Sequence, residues 1–472
     1  MMLTRKDLRQ YQVRAVDFLK SLPAAGLFLD MGLGKTVSTL TALHDMFDAG
    51  QIKRVLLVAP LRPAQGVWRQ EARKWSHLRD MTFKLLTGNE QTRLTALNSQ
   101  AQIHIINVEN LHWLLHTLKA KYKKENWPYD VLVIDESSMF KTPKAKTRFG
   151  VLRYYVDRFA RRYIMTGTPA PKGLLDLWSQ IYLLDEGKRL GEQVGRYRSR
   201  FFSPEGYMGY GYKPDANAEE IITGLVSDVV LTMRSEDWLE LPEVMEETVW
   251  VDLPPKARKM YGDLEREMFL ELEAGSTEAL SAASLSSKCW QMANGKIYLE
   301  DDEGERLTHI IHDEKINALK EVIDGVSGNV LVAYWFKPDL EQLQKAFPKA
   351  PNITGIRDEK KLNKLQDEWN AGKHPVMFVH PQSGGHGLNL QGGGNVLVFY
   401  SLLWGREAFA QVKERIGASR QVGLRDRVMY KYIAARDTVD EVMLTVQRER
   451  HTNERRMIKL LKDYRDAQEL LK

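Results

Sequence analysis

One short segment constrains the fold of this chain more than any other. Residues 30–36 have the sequence Asp-Met-Gly-Leu-Gly-Lys-Thr and lie between an apolar segment, residues 26–29, and a segment that predicts a helix, residues 37–47. Glycines let the backbone curl so that its N–H groups face phosphate oxygens, lysine neutralises the β- and γ-phosphates, and the threonine hydroxyl can hold Mg²⁺. The sequence therefore predicts a triphosphate-binding loop, with contacts from Met31, Gly32, Leu33, Gly34, Lys35 and Thr36.

The loop departs from the strict pattern at one position. Leu29 stands where the strict motif has a glycine, five residues before Gly34. A chance glycine-rich turn is the alternative interpretation, since short motifs produce false matches. The rest of the chain decides between the two.

Two adjacent carboxylates supply the second part of the same chemistry. Residues 129–134 are a run of apolar β-formers, which is typical of a strand buried on both faces, and Asp135 and Glu136 follow directly. A carboxylate at such a strand end can bind Mg²⁺ beside the phosphates, and its neighbour can orient or deprotonate the attacking water. We predict that Lys35, Asp135 and Glu136 are catalytic and that Thr36 and Asp135 hold the metal. A merely solvated strand end is the alternative interpretation.

Composition limits the class of protein. For 472 residues, about two to four domains are expected. The net charge of +6 and the isoelectric point near 9.0 favour a polyanionic partner. Cys289 is the only cysteine, which excludes an intramolecular disulfide and a thiolate metal cluster. Neither a signal peptide nor a transmembrane helix is predicted.

Strand candidates alternate with helical patterns in two stretches, which is typical of parallel sheets with helices on both faces. The first half is predicted at residues 1–245, with an irregular or helical insertion at about residues 186–230, and the second at residues 246–472. Residues 254–294 and 438–472 predict helices. The predicted strands are residues 26–29, 54–59, 82–86, 102–107, 131–134 and 163–166, and then 330–334, 352–354, 376–379, 396–400 and 428–433.

Taken in order, the motifs of this chain resemble those of the Swi/Snf-type DNA-dependent ATPases of helicase superfamily two, in the compact form found in bacteria and phages. The resemblance covers nearly the whole chain. In the first half, the matching segments are residues 8–12 (the Q motif), 30–36 (motif I), 58–60 with Trp68 (motif Ia), 106–111 (motif Ib), 135–138 (motif II), 166–169 (motif III) and Arg234 with residues 241–242. In the second half they are residues 383–390 with Trp404 (motif V), 411–421 (motif VI) and 438–441 (the closing motif).

The resemblance implies two tandem RecA-like, doubly wound parallel-sheet domains with a helical insertion between them. It implies a motor that uses ATP and Mg²⁺, acts on double-stranded DNA as a monomer, and lies in the cytoplasm of a bacterial or phage-infected cell. Residues of both halves would complete the ATP site, with Gln12 reading adenine and Gly387 contacting the nucleotide. The residues implied in coupling are Thr166, Gly167, Thr168 and Gln411, and those implied in nucleic-acid contact are Arg62, Lys141, Lys144, Asn389 and Trp404.

Two motifs depart from the family pattern. Motif II has Ser137 and Ser138 where the family usually has alanine and histidine, so we expect altered coupling to motif III. In motif VI, Ala418 stands at the position of the second arginine, and Arg420 is the next arginine along the chain. We expect Gly417 to end the preceding helix and to leave residues 418–421 as a loop. Arg415 and Arg420 are therefore joint candidates for the arginine finger.

Other interpretations remain open at this stage. Lys141, Lys144, Lys146 and Arg148 form a basic stretch just after the acid pair, which predicts phosphate contacts or, alternatively, an ordinary solvated loop. A strand-separating DNA or RNA helicase would have the same fold. A non-catalytic nucleic-acid-binding scaffold would not need Lys35 or the acid pair. ATPase assays with and without DNA separate these alternatives.

Overall fold

Two structural units make up the chain, Met1–Leu239 and Glu240–Lys472. The computed structural model describes residues 2–61, 63–144, 147–170, 173–205, 211–273, 287–300, 306–356, 358–381, 388–404 and 406–448. Each unit is built on its own parallel β-sheet. None of the helices in the described part of the chain combines the length and apolarity that crossing a membrane requires.

The first unit contains a seven-stranded parallel sheet with the order β3-β4-β2-β5-β6-β1-β9. The strands of this unit are β1 (Ala24–Leu29), β2 (Val55–Ala59), β3 (Phe83–Leu85), β4 (Ile103–Asn107), β5 (Val131–Asp135), β6 (Arg161–Thr166), β7 (Phe202–Glu205), β8 (Gly211–Pro214) and β9 (Val230–Met233). β6 pairs with β1 on one side and with β5 on the other. Because these strands are parallel, the segments that follow them meet at one edge of the sheet.

Helices cover this sheet because its strands are apolar on both faces. Every residue of β2 and β4 is buried, as expected for a central parallel strand. Alternate side chains such as Leu56 and Val58 join a core that includes the helices Leu111–Lys121 and Leu177–Asp185. The helices of this unit are Gln10–Ser21, Lys35–Asp48, Trp68–Lys74, Glu90–Leu97, Leu111–Lys121, Arg148–Leu152, Leu177–Asp185, Val194–Phe201 and Ala218–Val226.

The second unit contains a five-stranded parallel sheet with the order β10-β16-β15-β13-β14. Its strands are β10 (Glu243–Val251), β11 (Lys296–Glu300), β12 (Arg306–Ile310), β13 (Val330–Ala333), β14 (Val376–Val379), β15 (Val396–Phe399) and β16 (Arg427–Ala435). Its helices are Pro255–Glu273, residues 287–293, Glu314–Asp324, Lys337–Ala346, Glu359–Asn370, Arg406–Lys413, Ala418–Gln421 and Val439–Arg448. Lys315 and Asp440, both fully buried, form an ion pair of 2.7 Å that holds the closing motif against the helix Glu314–Asp324.

The predicted fold class is confirmed, whereas several local predictions differ from the structure. The boundary at residues 245/246 falls inside β10, which pairs along its whole length with β16 and so belongs to the second unit. Residues 352–354 contain only an isolated bridge from Asn352 to Phe378 instead of a strand. The insertion predicted as irregular or helical contains the helix Val194–Phe201, and also the antiparallel pair β7–β8, which was not predicted. β9 and β10 were not predicted as strands. Residues 449–472 of the predicted terminal helix lie outside the described residues.

Candidate active site

The loop that follows β1 takes a path that glycine favours. Gly32 and Gly34 have φ angles of 88° and 73°, in the left-handed region. A Cβ built on Gly34 would overlap the side-chain amide of Gln12, so the Q-motif glutamine lies directly against the loop. The helix begins at Lys35, and its first N–H groups are available to phosphate oxygens.

This close approach predicts the effect of a methyl group at Gly34. A left-handed conformation costs a non-glycine residue about 1–2 kcal/mol. The overlap with Gln12 adds to that cost in Gly34→Ala. We expect ATP affinity to fall by about tenfold or more, which corresponds to 1.4 kcal/mol. ATP titration of the purified variant measures this.

Gly50→Ala is the matched control for this prediction. Gly50 is also left-handed, with a φ of 66°, but no atom lies within 4 Å of its built Cβ. The control therefore has the backbone strain without the overlap, and we expect parent-like ATP affinity. Equal affinities for Gly34→Ala and Gly50→Ala would contradict the role given to the contact with Gln12.

The lysine of the loop lies folded over its own backbone. Lys35 Nζ donates hydrogen bonds to the carbonyl oxygens of Leu29 at 2.6 Å and Asp30 at 3.1 Å. The side chain of Leu33 is fully buried and anchors the loop, whereas Thr36 is partly exposed in the first helical turn. The ammonium group thus lies beside the amides that would face a triphosphate.

The acid pair lies at the end of β5, two strands away from β1 in the sheet. Trp68 Nε1 donates a hydrogen bond of 3.0 Å to Asp135 Oδ2. Burial and the adjacent Glu136 carboxylate raise the pKa of Asp135 to about 6, although the Trp68 indole and the charge of Lys35 act in the opposite direction. Glu136 has a left-handed φ of 56°, which is a strained conformation for a glutamate. Such strain is common at functional sites.

Motif III follows β6 and contacts both neighbouring motifs. Thr166 Oγ1 donates to Glu136 Oε2 at 3.3 Å and accepts from the backbone N–H of Thr168 at 3.0 Å. A Cβ built on Gly167 would lie 3.1 Å from Met31 Cγ and 3.5 Å from Lys35 Nζ. The ends of β1, β5 and β6 therefore bring motifs I, II and III together.

The residues present fit a bound Mg²⁺ ion. Burial and a like-charged neighbour penalise the carboxylate of Asp135, so a cation beside it would be favoured. The described residues contain no group of three or more histidine, cysteine, aspartate or glutamate side chains able to hold a metal ion. Mg²⁺ commonly takes one or two carboxylates and completes its shell with water and substrate phosphates. Asp135 and the Thr36 hydroxyl match that donor set.

Motif VI lies in the second unit, and its two candidate arginines share one acceptor. Arg415 and Arg420 donate to the carbonyl oxygen of Leu388 at 3.3 and 3.4 Å. Arg415 is 4% exposed, and burial lowers the pKa of Arg420. The predicted loop at residues 418–421 is wrong. Gly417 has a φ of −66° and caps the short helix Ala418–Gln421, while the preceding helix already ends at Lys413.

The remaining predicted residues differ in their placement. Gln411 is buried, Trp404 is half-buried against the core of the second unit, and Asn389 is exposed. Lys144 is exposed and Lys141 is half-buried. Arg148 pairs with Glu109 of motif Ib at 3.4 Å. The predicted residues Arg62, Lys146 and Gly387 lie outside the described residues.

Comparison with known proteins establishes the family. Residues 11–296 match the SNF2-related domain. The chain belongs to the SNF2-related family. It is 39% identical over 448 residues to "Putative protein p41" of Acyrthosiphon pisum secondary endosymbiont phage 1, covering 92% of this chain and 94% of that protein. It is 22% identical to the nuclear protein STH1/NPS1 of Saccharomyces cerevisiae, covering 93% of this chain but only 34% of the yeast protein.

Solved structures of the same family also match. The "Sulfolobus solfataricus SWI2/SNF2 ATPase core in complex with dsDNA" is 20% identical, covers 93% of this chain and 90% of that one, and has a TM-score of 0.44. The family resemblance found in the sequence is thus confirmed by the domain match and the phage relative. The chain is a DNA-dependent ATPase of the SNF2-related family.

Three contacts at the site of this SNF2-family ATPase were not predicted. Trp68 was assigned to motif Ia, but its bond to Asp135 was not expected. Asp30 Oδ2 accepts from the backbone N–H and the hydroxyl of Ser235, which ties the loop to the segment after β9. Gln180 is completely buried beside motifs II and III. The only sequence signal for Gln180 is a glutamine within an otherwise mostly apolar helix.

Proposed function

We propose that this chain is an ATP-driven motor that translocates on double-stranded DNA and remodels DNA or protein–DNA complexes. The observation that carries the proposal is the convergence of Lys35, Glu136 and Thr166 at the ends of three neighbouring strands. That arrangement provides a phosphate-binding loop, an acid pair and a motif that contacts both. A non-catalytic scaffold would have no need of it.

In this proposal each group has one role in ATP hydrolysis. Lys35 and the N–H groups of residues 32–36 bind the phosphates. Asp135 and Thr36 hold Mg²⁺, which neutralises charge on the phosphate oxygens. Glu136 orients the attacking water and accepts its proton. Gln12, held against Gly34, is placed to distinguish adenine from other bases.

One of the arginines of motif VI would act on the same ATP molecule. Arg415 and Arg420 donate to one carbonyl oxygen, so a single backbone segment of motif V holds both guanidinium groups. An arginine beside the transferring phosphoryl group stabilises the charge of the transition state. Nucleotide binding and release would then drive the conformational steps of a motor.

The proposed track is the phosphate backbone of a duplex. The chain has a net charge of +6, and the exposed Lys144 lies six residues after the end of motif II. Contacts to phosphates carry no sequence information, which suits a motor that must move over any sequence. Lys141, Asn389 and Trp404 are further proposed contacts.

ATP turnover should be stimulated by duplex DNA of any sequence. DNA affinity should fall by orders of magnitude between about 50 and 200 mM salt, because bound phosphates release their counterions. Lys144→Ala should weaken binding to all sequences alike and lower the salt slope by about one. Lys256→Ala, at an exposed lysine in the second unit, is the control. Stimulation by RNA alone, or equal turnover without nucleic acid, would contradict the proposal.

A strand-displacement assay distinguishes translocation from unwinding. A third strand bound in the major groove should be displaced during ATP hydrolysis while the duplex remains paired. Separation of the duplex strands would instead identify a helicase, which has the same fold.

A further inference from the structure

A buried hydrogen-bonded link begins at the residue that follows Glu136. Ser137 and Gln180 are both fully buried, and Ser137 Oγ donates to Gln180 Oε1 at 2.7 Å. Ser137 stands where the family usually has alanine. An alanine could not make this bond, so the link belongs to one of the positions at which this chain departs from its relatives.

The link continues from Gln180 to the end of motif III. Gln180 Nε2 donates to the carbonyl oxygen of Pro169 at 2.6 Å and to that of Asp176 at 2.9 Å. The start of motif III is held separately, because Thr166 donates to Glu136. Residues 166–169 are therefore held at both ends by motif II, once through Glu136 and once through Ser137.

Both anchors act on a residue whose backbone is strained. Glu136 has a left-handed φ of 56°, and such a conformation persists only where the surrounding structure determines it strongly. Its carbonyl oxygen accepts from the N–H of Met139 at 3.0 Å, at the start of the short helix Ser137–Phe140. Ser137 is the first residue of this helix, so its side-chain bond holds the peptide next to Glu136.

The held segment also lies beside the phosphate loop. A Cβ built on Gly167, within this segment, would lie 3.1 Å from Met31 Cγ and 3.5 Å from Lys35 Nζ. A shift of residues 166–169 would therefore move the backbone at Gly167, which lies beside Lys35, and also Thr166, which donates to Glu136. The buried link therefore holds motif III against motif II, on the side of motif III that faces the phosphate loop.

We propose that Ser137 and Gln180 are positioning residues for ATP hydrolysis. They hold Glu136 and motif III in fixed relative positions, in a chain whose motif II lacks the usual histidine. The inference rests on the proposed role of Glu136 as the acid that orients water. Both side chains act through Glu136 and Thr166 and do not touch the substrate. Loss of the link should slow the chemical step without weakening ATP binding.

Three variants test this in the full chain with saturating duplex DNA. Ser137→Ala and Gln180→Leu each break the link and leave the other polar side chain buried without its partner. The double variant removes the orphaned hydroxyl that Gln180→Leu leaves at Ser137, because both partners of that bond are then apolar. Both variants that carry Gln180→Leu lose the donor to the carbonyl oxygens of Pro169 and Asp176. We measure kcat, KM for ATP and the midpoint of thermal unfolding for each.

A positioning role gives a pattern that a stabilising role does not. We expect all three variants to lose about tenfold or more in kcat, because a misplacement of about 1 Å can cost up to about 10²-fold in rate, with KM changed less than twofold. The double variant should recover thermal stability relative to Gln180→Leu, in which the Ser137 hydroxyl is orphaned, without recovering kcat. Recovery of kcat together with stability would show that the link only stabilises the fold, and would overturn the inference.

Ser179→Ala is the matched control. Ser179 is fully buried, precedes Gln180 in the same helix, and has no hydrogen-bond partner for its hydroxyl among the described residues. It should retain the kcat and KM of the parent. Parent-like kcat in Ser137→Ala and Gln180→Leu would overturn the inference while leaving the motor proposal intact. A parent chain that does not hydrolyse ATP would overturn the motor proposal itself, and the inference with it.

Discussion

Glu136→Gln should bind ATP as tightly as the parent chain and hydrolyse it about 10²–10⁴-fold more slowly, the range that positioned acid–base groups contribute. The amide cannot accept the proton of the attacking water. Lys35 and Asp135 remain in place to bind the triphosphate and its metal ion. Turnover assays and titration with a fluorescent ATP analogue measure the two effects separately.

Two comparisons sharpen this prediction. Lys35→Ala removes the charge beside the loop carbonyls of Leu29 and Asp30, so it should lose ATP binding itself. Glu186→Gln is the matched control, because Glu186 is also a left-handed glutamate of the first unit, with a φ of 59°, and pairs with Arg162 instead of Thr166. Hydrolysis by Glu136→Gln at the rate of Glu186→Gln would show that the role assigned to Glu136 is wrong.

Removal of the arginine finger should slow turnover by about 10³–10⁵-fold with ATP binding largely retained. The charge of the finger matters most in the transition state, so the ground-state complex is little affected. Arg415→Ala, Arg420→Ala and the double variant are compared with saturating duplex DNA. If one residue alone is the finger, the double variant should be no slower than the slower single variant.

The shared carbonyl of Leu388 makes a second outcome informative. Both guanidinium groups donate to this oxygen, so either arginine could hold the backbone for the other. Intermediate losses in both single variants, with a larger loss in the double variant, would identify one finger and one supporting residue. Arg425→Ala is the control, because Arg425 is exposed and its guanidinium group donates only to the adjacent Leu424 carbonyl among the described residues. Near-parent turnover in both single variants would exclude both residues.

Local sequence patterns predicted most elements of the two sheets. β2 and β5 were placed to within one residue, because a short apolar run rich in β-branched residues and bounded by polar residues is typical of a buried strand. β10 was missed for the opposite reason. It lies at the edge of its sheet, most of its residues are exposed, and Glu246 and Glu247 give it the composition of a loop. Ion pairs from Glu246 to Lys413 and from Glu247 to Lys431 stabilise it, and these partners are far away in sequence.

The sequence by itself determined the fold class, the family and the types of residue proposed to bind and hydrolyse ATP, because strand–loop–helix periodicity and motif chemistry are local properties of the chain. Only the tertiary structure decided how those residues are held. Trp68 and Asp135 are hydrogen-bonded although they are 67 positions apart in the sequence, and Ser137 and Gln180 are hydrogen-bonded although they are 43 positions apart. Such contacts depend on which strands become neighbours and on how the helices pack over them. A short range of sequence cannot specify that, since burial and hydrogen-bond partners are properties of the assembled sheet.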